Sequence, residues 1–516
     1  MLSRSVALWL CVVVFGWTPL LAVGSPAPLA DAVQRLDRDA IDGFLTRSID
    51  VNGAQADGMT ALHWATYYDE VDLVERLVMA GADVEVANRY GVTPLSLAAE
   101  NGSQPVVECL LNAGADANTS LPGGETVLMT AARSGRVGVV RALISHGADI
   151  LAREDRRGQS PLMWAAAEGH ADVVATLIEI GADFTSPLDS GFTPFLFAVR
   201  EGHLDVARVL LSAGVDVNRL VTEVVRQERT YRAGRPIRIG TSPLLVAVTN
   251  AHWDVASALL DAGADPTLNA SGYTALHLIS KVRKPGVGDN NPAPDGSGRI
   301  TSLEFVRKLA ESGADLNARM TQRRNLNNTR HHEQGSTPFM LAALVADVPL
   351  MRTLVDLGAN PLLTNAEAST PLMAAAGVGT RSPGEDAGTE DEVLDAVQLA
   401  LELGNDIDAV DDKGETAMHG AAYKNLPRVV ALLAASGASV DVWARKNSFG
   451  WSPLTIARGY RFGNFKPSPV TVAAVEQAML DVGIVPPTEA EEAAESYDIY
   501  SPRQPIINTP SQGPPR

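Results

Sequence analysis

A short phrase recurs along this chain at a nearly fixed interval, and that recurrence limits the possible fold more than any other feature. It reads GMTALH from Gly58, GVTPLSLAA from Gly91, GETVLMTAA from Gly124, GQSPLMWAA from Gly158 and GFTPFLFAV from Gly191. It continues as GTSPLLVAV from Gly240, GYTALHLIS from Gly272, GSTPFMLAA from Gly335, STPLMAAAG from Ser369, GETAMHGAA from Gly414 and GWSPLTIAR from Gly450. Each phrase leads into a second apolar stretch, and most of these close on Gly-Ala-Asp, as at Gly81, Gly114, Gly147, Gly181, Gly263 and Gly313. A unit this short buries its apolar face only against its neighbours, so the period specifies a solenoid. Function is then expected on a surface rather than in a pocket.

Between Thr60 and Ser452 the intervals from one Thr or Ser to the next are 33, 33, 34, 33, 49, 32, 63, 33, 46 and 36 residues. Four exceed the period and mark insertions. Within the unit from Gly158 to Ala182, Ser160 offers a hydroxyl ahead of a helix whose first turn carries Pro161, where a missing N–H costs nothing. Leu162, Ala165 and Ala166 form a narrow apolar stripe, and Gly169 suits the helix end. Val173, Val174, Leu177 and Ile178 then fall at helical spacing on a second helix closed by Gly181.

The TPLH-type phrase, the Gly-His turn (Gly169-His170, Gly202-His203) and the Gly-Ala-Asp endings together resemble the ankyrin repeat family, over about residues 28–485. The resemblance implies an all-α solenoid of about twelve helix-turn-helix units, with short β-hairpin fingers and four loop insertions. Its partition would be 1–24 signal peptide, 25–56 N-terminal cap repeat, 57–485 repeat array and 486–516 a disordered Pro/Glu-rich tail. The insertions fall near 219–239, 281–299, 318–334 and 377–391. The first and third lie in finger turns and the other two between the helices of a unit, so the pairs are expected to project from opposite ends.

Arg4, the apolar run from Val6 to Trp17 and the small residues Ala22 and Gly24 fit a secretory signal cleaved near Gly24. The run is too short for a membrane span. Only 7 of the 42 basic residues are lysines, which suggests a GC-rich bacterial genome and a periplasmic or secreted address. Cys11 would leave with the signal, and Cys109 occupies a position usually filled by a core aliphatic, so no internal disulfide is expected. A net charge of -19 disfavours nucleic acid or anionic membrane as main partner. The finger insertions are nonetheless arginine-rich (Arg219, Arg226, Arg229, Arg232, Arg235, Arg238; Arg319, Arg323, Arg324, Arg330), which suits an acidic partner.

Catalytic signatures are absent: the sequence has no nucleophile elbow, HExxH helix or phosphate-cradling glycine loop. Seven of nine histidines fall at repeat positions, His63, His277 and His419 in the phrase, His170, His203 and His252 at the turn, and His146 before an ending. His331 and His332 lie outside the template but lack the spacing of a closed metal site. No metal, cofactor or catalytic residue is expected.

Ankyrin arrays hold partners on finger tips and on the outer face of the first helix, and the resemblance carries that role to matching positions here. Tip positions are Asp57, Met59, Arg89, Tyr90, Val92, Arg156, Arg157, Gln159, Phe192, Tyr273, Phe449 and Trp451. First-helix positions are Tyr67, Tyr68, Glu100, Asn101, Arg133, Glu168, Arg200, Glu201, Tyr423 and Lys424. Tyr, Trp and Arg dominate interface energetics. The reading is a monomeric, non-enzymatic scaffold that binds a protein on its concave face. Two alternatives stay open: a metal-dependent or oxidative-stress factor acting through the inserted loops, and a secreted host-directed effector.

Overall fold

Thr60, Thr93, Thr126, Thr193, Ser242, Thr337, Thr370 and Ser452 each accept a hydrogen bond from the backbone N–H three residues on, at 3.1–3.4 Å. These eight phrases are thus capped helix starts. The structure, a computed structural model, describes residues 27–47, 49–222, 238–286, 293–324, 326, 329–460, 467–488 and 491. The expected signal, most of the tail, the centre of the first insertion and part of the second lie outside the described residues.

The chain divides into two compact units, Met1–Pro161 and Leu162–Arg516. The first holds α1 Pro28–Gln34, α2 Arg38–Thr46, α3 Ala61–Tyr67, α4 Val71–Met79, α5 Pro94–Asn101, α6 Gln104–Asn112, α7 Val127–Ser134 and α8 Val137–Ser145. The second holds α9 Pro161–Glu168, α10 Ala171–Ile180, α11 Pro194–Glu201, α12 Leu204–Ser212, α13 Pro243–Thr249, α14 Trp253–Asp261, α15 Ala275–Arg283, α16 Ser302–Glu311, α17 Pro338–Leu344 and α18 Val348–Asp356. It continues with α19 Pro371–Ala376, α20 Glu390–Glu402, α21 Ala417–Lys424, α22 Pro427–Ala435, α23 Val440–Trp443, α24 Pro453–Ala457 and α25 Pro469–Leu480. Apart from the short α23, these form twelve helix pairs, all α among the described residues.

Stacking is layered within each unit. In the first, α1, α3, α5 and α7 pack in series, as do α4, α6 and α8. In the second, α11, α13, α15, α17, α19, α21 and α24 form one layer, and α10, α12, α14, α16, α18, α20, α22 and α25 the other. Leu62, Leu77, Leu110 and Leu128 in the first unit and Phe195, Phe305 and Phe339 in the second are almost wholly buried. Each such side chain contributes about 1.5–3 kcal/mol on burial. Cys109 is half-buried and not part of this core.

The repeat endings carry their own bond. Asn52 donates to Gly81 O at 3.3 Å and accepts from Asp83 N at 2.7 Å, and so grips the next Gly-Ala-Asp. Asn118 does the same to Gly147 and Asp149, and Asn218 to Gly263 and Asp265.

The fingers are tighter than the expected hairpins. Asn88 N donates to Val92 O at 2.9 Å, and Arg89 N reaches the preceding finger at Asp57 O, 3.0 Å. The same pair of bonds recurs at Asp411 N to Glu415 O and Asp412 N to Glu367 O. Among the described residues there are no strands, only two isolated bridges, Ser120 with Thr126 and His252 with Ser297. The cause is a side chain that takes the turn donors: Asn88 Oδ1 accepts from Tyr90 N and Val92 N, and Asn365, Asp411 and Asn447 repeat the arrangement. In the finger ahead of Ser160, Glu154 substitutes, accepting from Arg156, Arg157 and Gln159 N–H groups.

The insertions do not keep to opposite ends. Arg330 N, in the 318–334 insertion, donates to Gly379 O at 2.7 Å in the 377–391 insertion. Gly379 (φ +89°) permits this approach, because a Cβ there would lie 2.5 Å from His331 backbone atoms. The end of the 281–299 insertion folds back on the α13–α14 turn, with Ser297 Oγ 2.8 Å from His252 Nδ1 and the Arg299 and Ile300 N–H groups on the Asp254 carboxylate.

Candidate functional site

Exposed aromatic groups mark the first unit. On α3, the rings of Trp64, Tyr67 and Tyr68 meet with centroids 5.2–6.0 Å apart. Tyr67 is 53% exposed, and Tyr68 is anchored by its hydroxyl on Gln34 O at 3.0 Å. On the next finger Tyr90 is 61% exposed, and the Arg89 guanidinium lies 5.2 Å above its ring and donates to its hydroxyl at 3.1 Å. Arg156, Arg157 and Glu100 are exposed, while Asp57, Val92, Gln159 and Arg133 are half-buried, the last 3.6 Å from Glu125. Asn101 is exposed but committed to the Thr66 and Tyr67 carbonyls. Met59 does not protrude: it is buried, with Asn88 Nδ2 on its sulfur.

In the second unit several expected contact residues turn inward. Tyr423 is only 9% exposed and donates to Glu415 Oε1 at 2.8 Å, and Asn447 Nδ2 bonds both groups. Trp451 is 2% exposed beneath Phe449, which stays exposed and stacks on it at 5.2 Å. Tyr273 is buried, and Lys424 is covered by the 377–391 insertion, where its Nζ donates to Ala387 O. Burial brings the Lys424 amine down to about 8. Phe192 is half-buried, and Arg200 rests on it at 4.8 Å and on Phe197 at 5.0 Å while pairing with Glu201 at 2.6 Å. Glu168 and Glu201 are exposed.

These placements follow a rule that was available in the sequence. Counting back from the capping Thr or Ser, the residue one before it points inward (Met59, Tyr273, Trp451), and the residue three before it points outward (Tyr90, Arg157, Phe449). The residue between the two positions is a glycine at positive φ (Gly58, Gly91, Gly158, Gly272, Gly450), and the turn it makes sends the side chains before and after it to different sides.

The arginine-rich insertions are partly braces. Arg219 Nη1 donates to Thr185 O, Arg319 Nη1 to Thr364 O and Arg324 Nε to Ser271 O, at 2.6–2.9 Å. Arg226, Arg229, Arg232 and Arg235 lie outside the described residues.

Two cavities of about 370 Å³ open in the second unit, which the expectation of a purely surface function did not foresee. One is lined by Arg323, His332, Glu367, Asp411, Lys413 and Glu415. Its charges are largely spent internally: Lys413 pairs with Glu367 at 2.5 Å, and Asp411 accepts from Ser369 Oγ at 3.0 Å. Burial pushes both the Asp411 and Glu415 carboxyls above their ordinary range. The other is lined by cations and apolar groups, with Phe192 and Tyr273 on its wall.

The histidines serve the fold. His63, His277 and His419 are buried, and each Nδ1 accepts from the N–H of the capping threonine at 3.1–3.2 Å. His63 Nε2 reaches Val92 O, and His277 Nε2 reaches Ala318 O, both at 3.0 Å on the next finger. His203 and His252 likewise reach Ala167 O and Arg200 O. His331 is buried with Nε2 3.2 Å from Ser336 Oγ, and burial drives its pKa down to about 4. Among the described residues no three His, Cys, Asp or Glu side chains gather as a metal site, and no helix is long and apolar enough to cross a membrane.

Comparison with known proteins agrees with this geometry. A family model for ankyrin repeats (3 copies) matches residues 29–120, 115–187 and 153–221, and a single ankyrin repeat model matches 240–270. Among curated proteins, the E3 ubiquitin-protein ligase KEG of Arabidopsis thaliana is 29% identical over 175 residues. That match takes in 33% of this chain and 9% of the plant protein.

Proposed function

Because this chain is an ankyrin repeat-containing protein, we propose that it holds a protein partner on the first-helix face and finger tips, as a scaffold without chemistry of its own. Ankyrin repeats imply protein interaction, and an architecture of this kind is generally non-enzymatic. The observation that carries the finer reading is the pair of exposed aromatic groups in the first unit, Tyr67 with Tyr68 and Tyr90 with Arg89. Large rings with few rotatable bonds lose little entropy on docking and bury much area, so solvent-facing Tyr beside Arg is what a contact surface needs. The partner is a protein, the scaffold a monomer, and neither nucleic acid nor membrane is its main target, in keeping with the charge of -19.

Tagged full-length chain and a Tyr67→Ala, Tyr68→Ala, Tyr90→Ala, Arg157→Ala variant should be compared by pull-down from source-cell extract. At least one partner should be recovered tenfold less with the variant; equal recovery of every protein would remove this surface as the site. The address belongs to the same proposal, periplasmic or secreted. Cell fractionation with N-terminal sequencing should find the mature chain outside the cytoplasm and starting near Ser25, whereas a cytoplasmic chain retaining Met1 would rule out export.

A further inference from the structure

Arg238 and Arg324 belong to different insertions, yet the fold brings both to one phenol. Tyr273 sits one residue before the cap of α15, and its hydroxyl is held above the usual range chiefly by burial, with Arg238 and Arg324 both drawing it back and Arg238 bonding it. Arg324 is fixed through Nε to Ser271 O at 2.7 Å, which leaves its terminal nitrogens directed by the backbone rather than by an acid. Neither arginine is paired with a carboxylate among the described residues. Arg200, which lies over Phe192 and Phe197 and pairs with Glu201, and Lys281 from α15 complete the lining.

The resulting cavity, about 370 Å³, carries four cations and no Asp or Glu among its described lining residues. On a chain of net charge -19 that is a local inversion of sign. Arg200 is offset by Glu201, but Arg238 and Arg324 face one space with no carboxylate between them among the described residues, and an entering anion relieves their repulsion. Guanidinium groups meet carboxylates in a fixed fork, so the geometry favours a planar carboxylate over a solvated point charge. Phe192, Leu278 and Leu326 supply an apolar wall, so the anion should be borne on an apolar group. The volume suits one or two side chains. A nucleic acid would instead need a long row of phosphate contacts.

We propose that this cavity anchors a carboxylate flanked by an apolar side chain on the protein partner, either an internal Asp or Glu or a chain-terminal carboxylate. The proposal rests on the scaffold reading above, and it assigns the chemistry of one contact. The test uses the purified full chain and four fluorescein-labelled heptapeptide pools in fluorescence anisotropy. One pool has a central Glu flanked by Leu or Phe and an amidated end. The second has Gln in place of Glu, the third is neutral with a free terminal carboxylate, and the fourth has Lys in place of Glu.

The Glu pool, the free-carboxylate pool or both should bind at least tenfold more tightly than the Gln pool, and which of them does so identifies the source. Arg238→Gln should remove most of that preference and Arg238→Glu should shift it toward the Lys pool. Arg238 is exposed, so these variants should unfold at the wild-type midpoint. Equal binding of all four pools, or a preference unchanged by Arg238→Gln, overturns the proposal. The pull-down variant leaves this cavity intact. Discriminating pools with a failed pull-down would therefore sink only the aromatic face, and the converse only the cavity.

Discussion

Replacement of Asp347 by alanine is expected to cost about 3–5 kcal/mol. Asp347 is wholly buried at the start of α18, and Arg283 reaches it with two nitrogens, Nε to Oδ2 at 2.5 Å and Nη2 to Oδ1 at 3.0 Å. The third nitrogen of the fork donates to Ser302 Oγ at 2.5 Å, so one guanidinium ties α15, α16 and α18 together beside the 281–299 insertion. The same carboxylate accepts from Leu350 N at 3.2 Å as the helix cap. Removing it leaves a largely buried guanidinium without its counter-charge and α18 without its cap.

A double-mutant cycle separates these contributions. Urea unfolding of Asp347→Ala, Arg283→Met and the double variant should show each single change costing several kcal/mol, with the double well below their sum, because an absent pair strands no charge. Singles that each cost under about 1 kcal/mol would mean that this pair is no more than a surface salt bridge.

Much of the fold could be read from the residues because each phrase carries its own local physics. The Thr or Ser of the phrase caps a helix, the Asn and Gly-Ala-Asp of successive endings clasp each other, and the intervals locate the insertions. What a repeat position does not fix is its neighbour. Tyr67 and Tyr423 both lie seven residues after the capping threonine, yet the first faces solvent and the second bonds Glu415 and Asn447. Tyr68 and Lys424 both lie eight after it, and only Lys424 has the 377–391 insertion laid over it. The cationic cavity was hidden for the same reason. Arg238 and Arg324 are 86 residues apart in sequence, and nothing local to either announces the shared contact with Tyr273.

Acid should loosen the second unit between about pH 6.5 and pH 4, through His277 and His419. Burial lowers both imidazoles to about 4. Each also has Nδ1 occupied by the N–H of Thr274 or Thr416, a bond that a proton on Nδ1 would abolish. As pH falls below 6.5 the unfolded chain takes up these protons while the native state does not, so stability is lost on acidification and the loss levels off below about 4. Holding one imidazole near 4 instead of its ordinary 6.5 corresponds to about 3 kcal/mol at neutral pH. The raised carboxyls of Asp411 and Glu415 act in the opposite sense. Their contribution is complete below their ordinary values of 3.8 and 4.5 and fades as pH rises, so a comparison that cancels them is needed. His277→Gln with His419→Gln provides it, because glutamine at the third helical position can still reach back to the cap but does not titrate. Urea midpoints at pH 7.0, 5.5 and 4.5 should fall steeply for the wild type and less so for the variant, and the protection of the Thr274 and Thr416 amides from hydrogen exchange, relative to the intrinsic rate at each pH, should fall on acidification only in the wild type. Parallel pH profiles in the two proteins would show that these histidines do not carry the acid response.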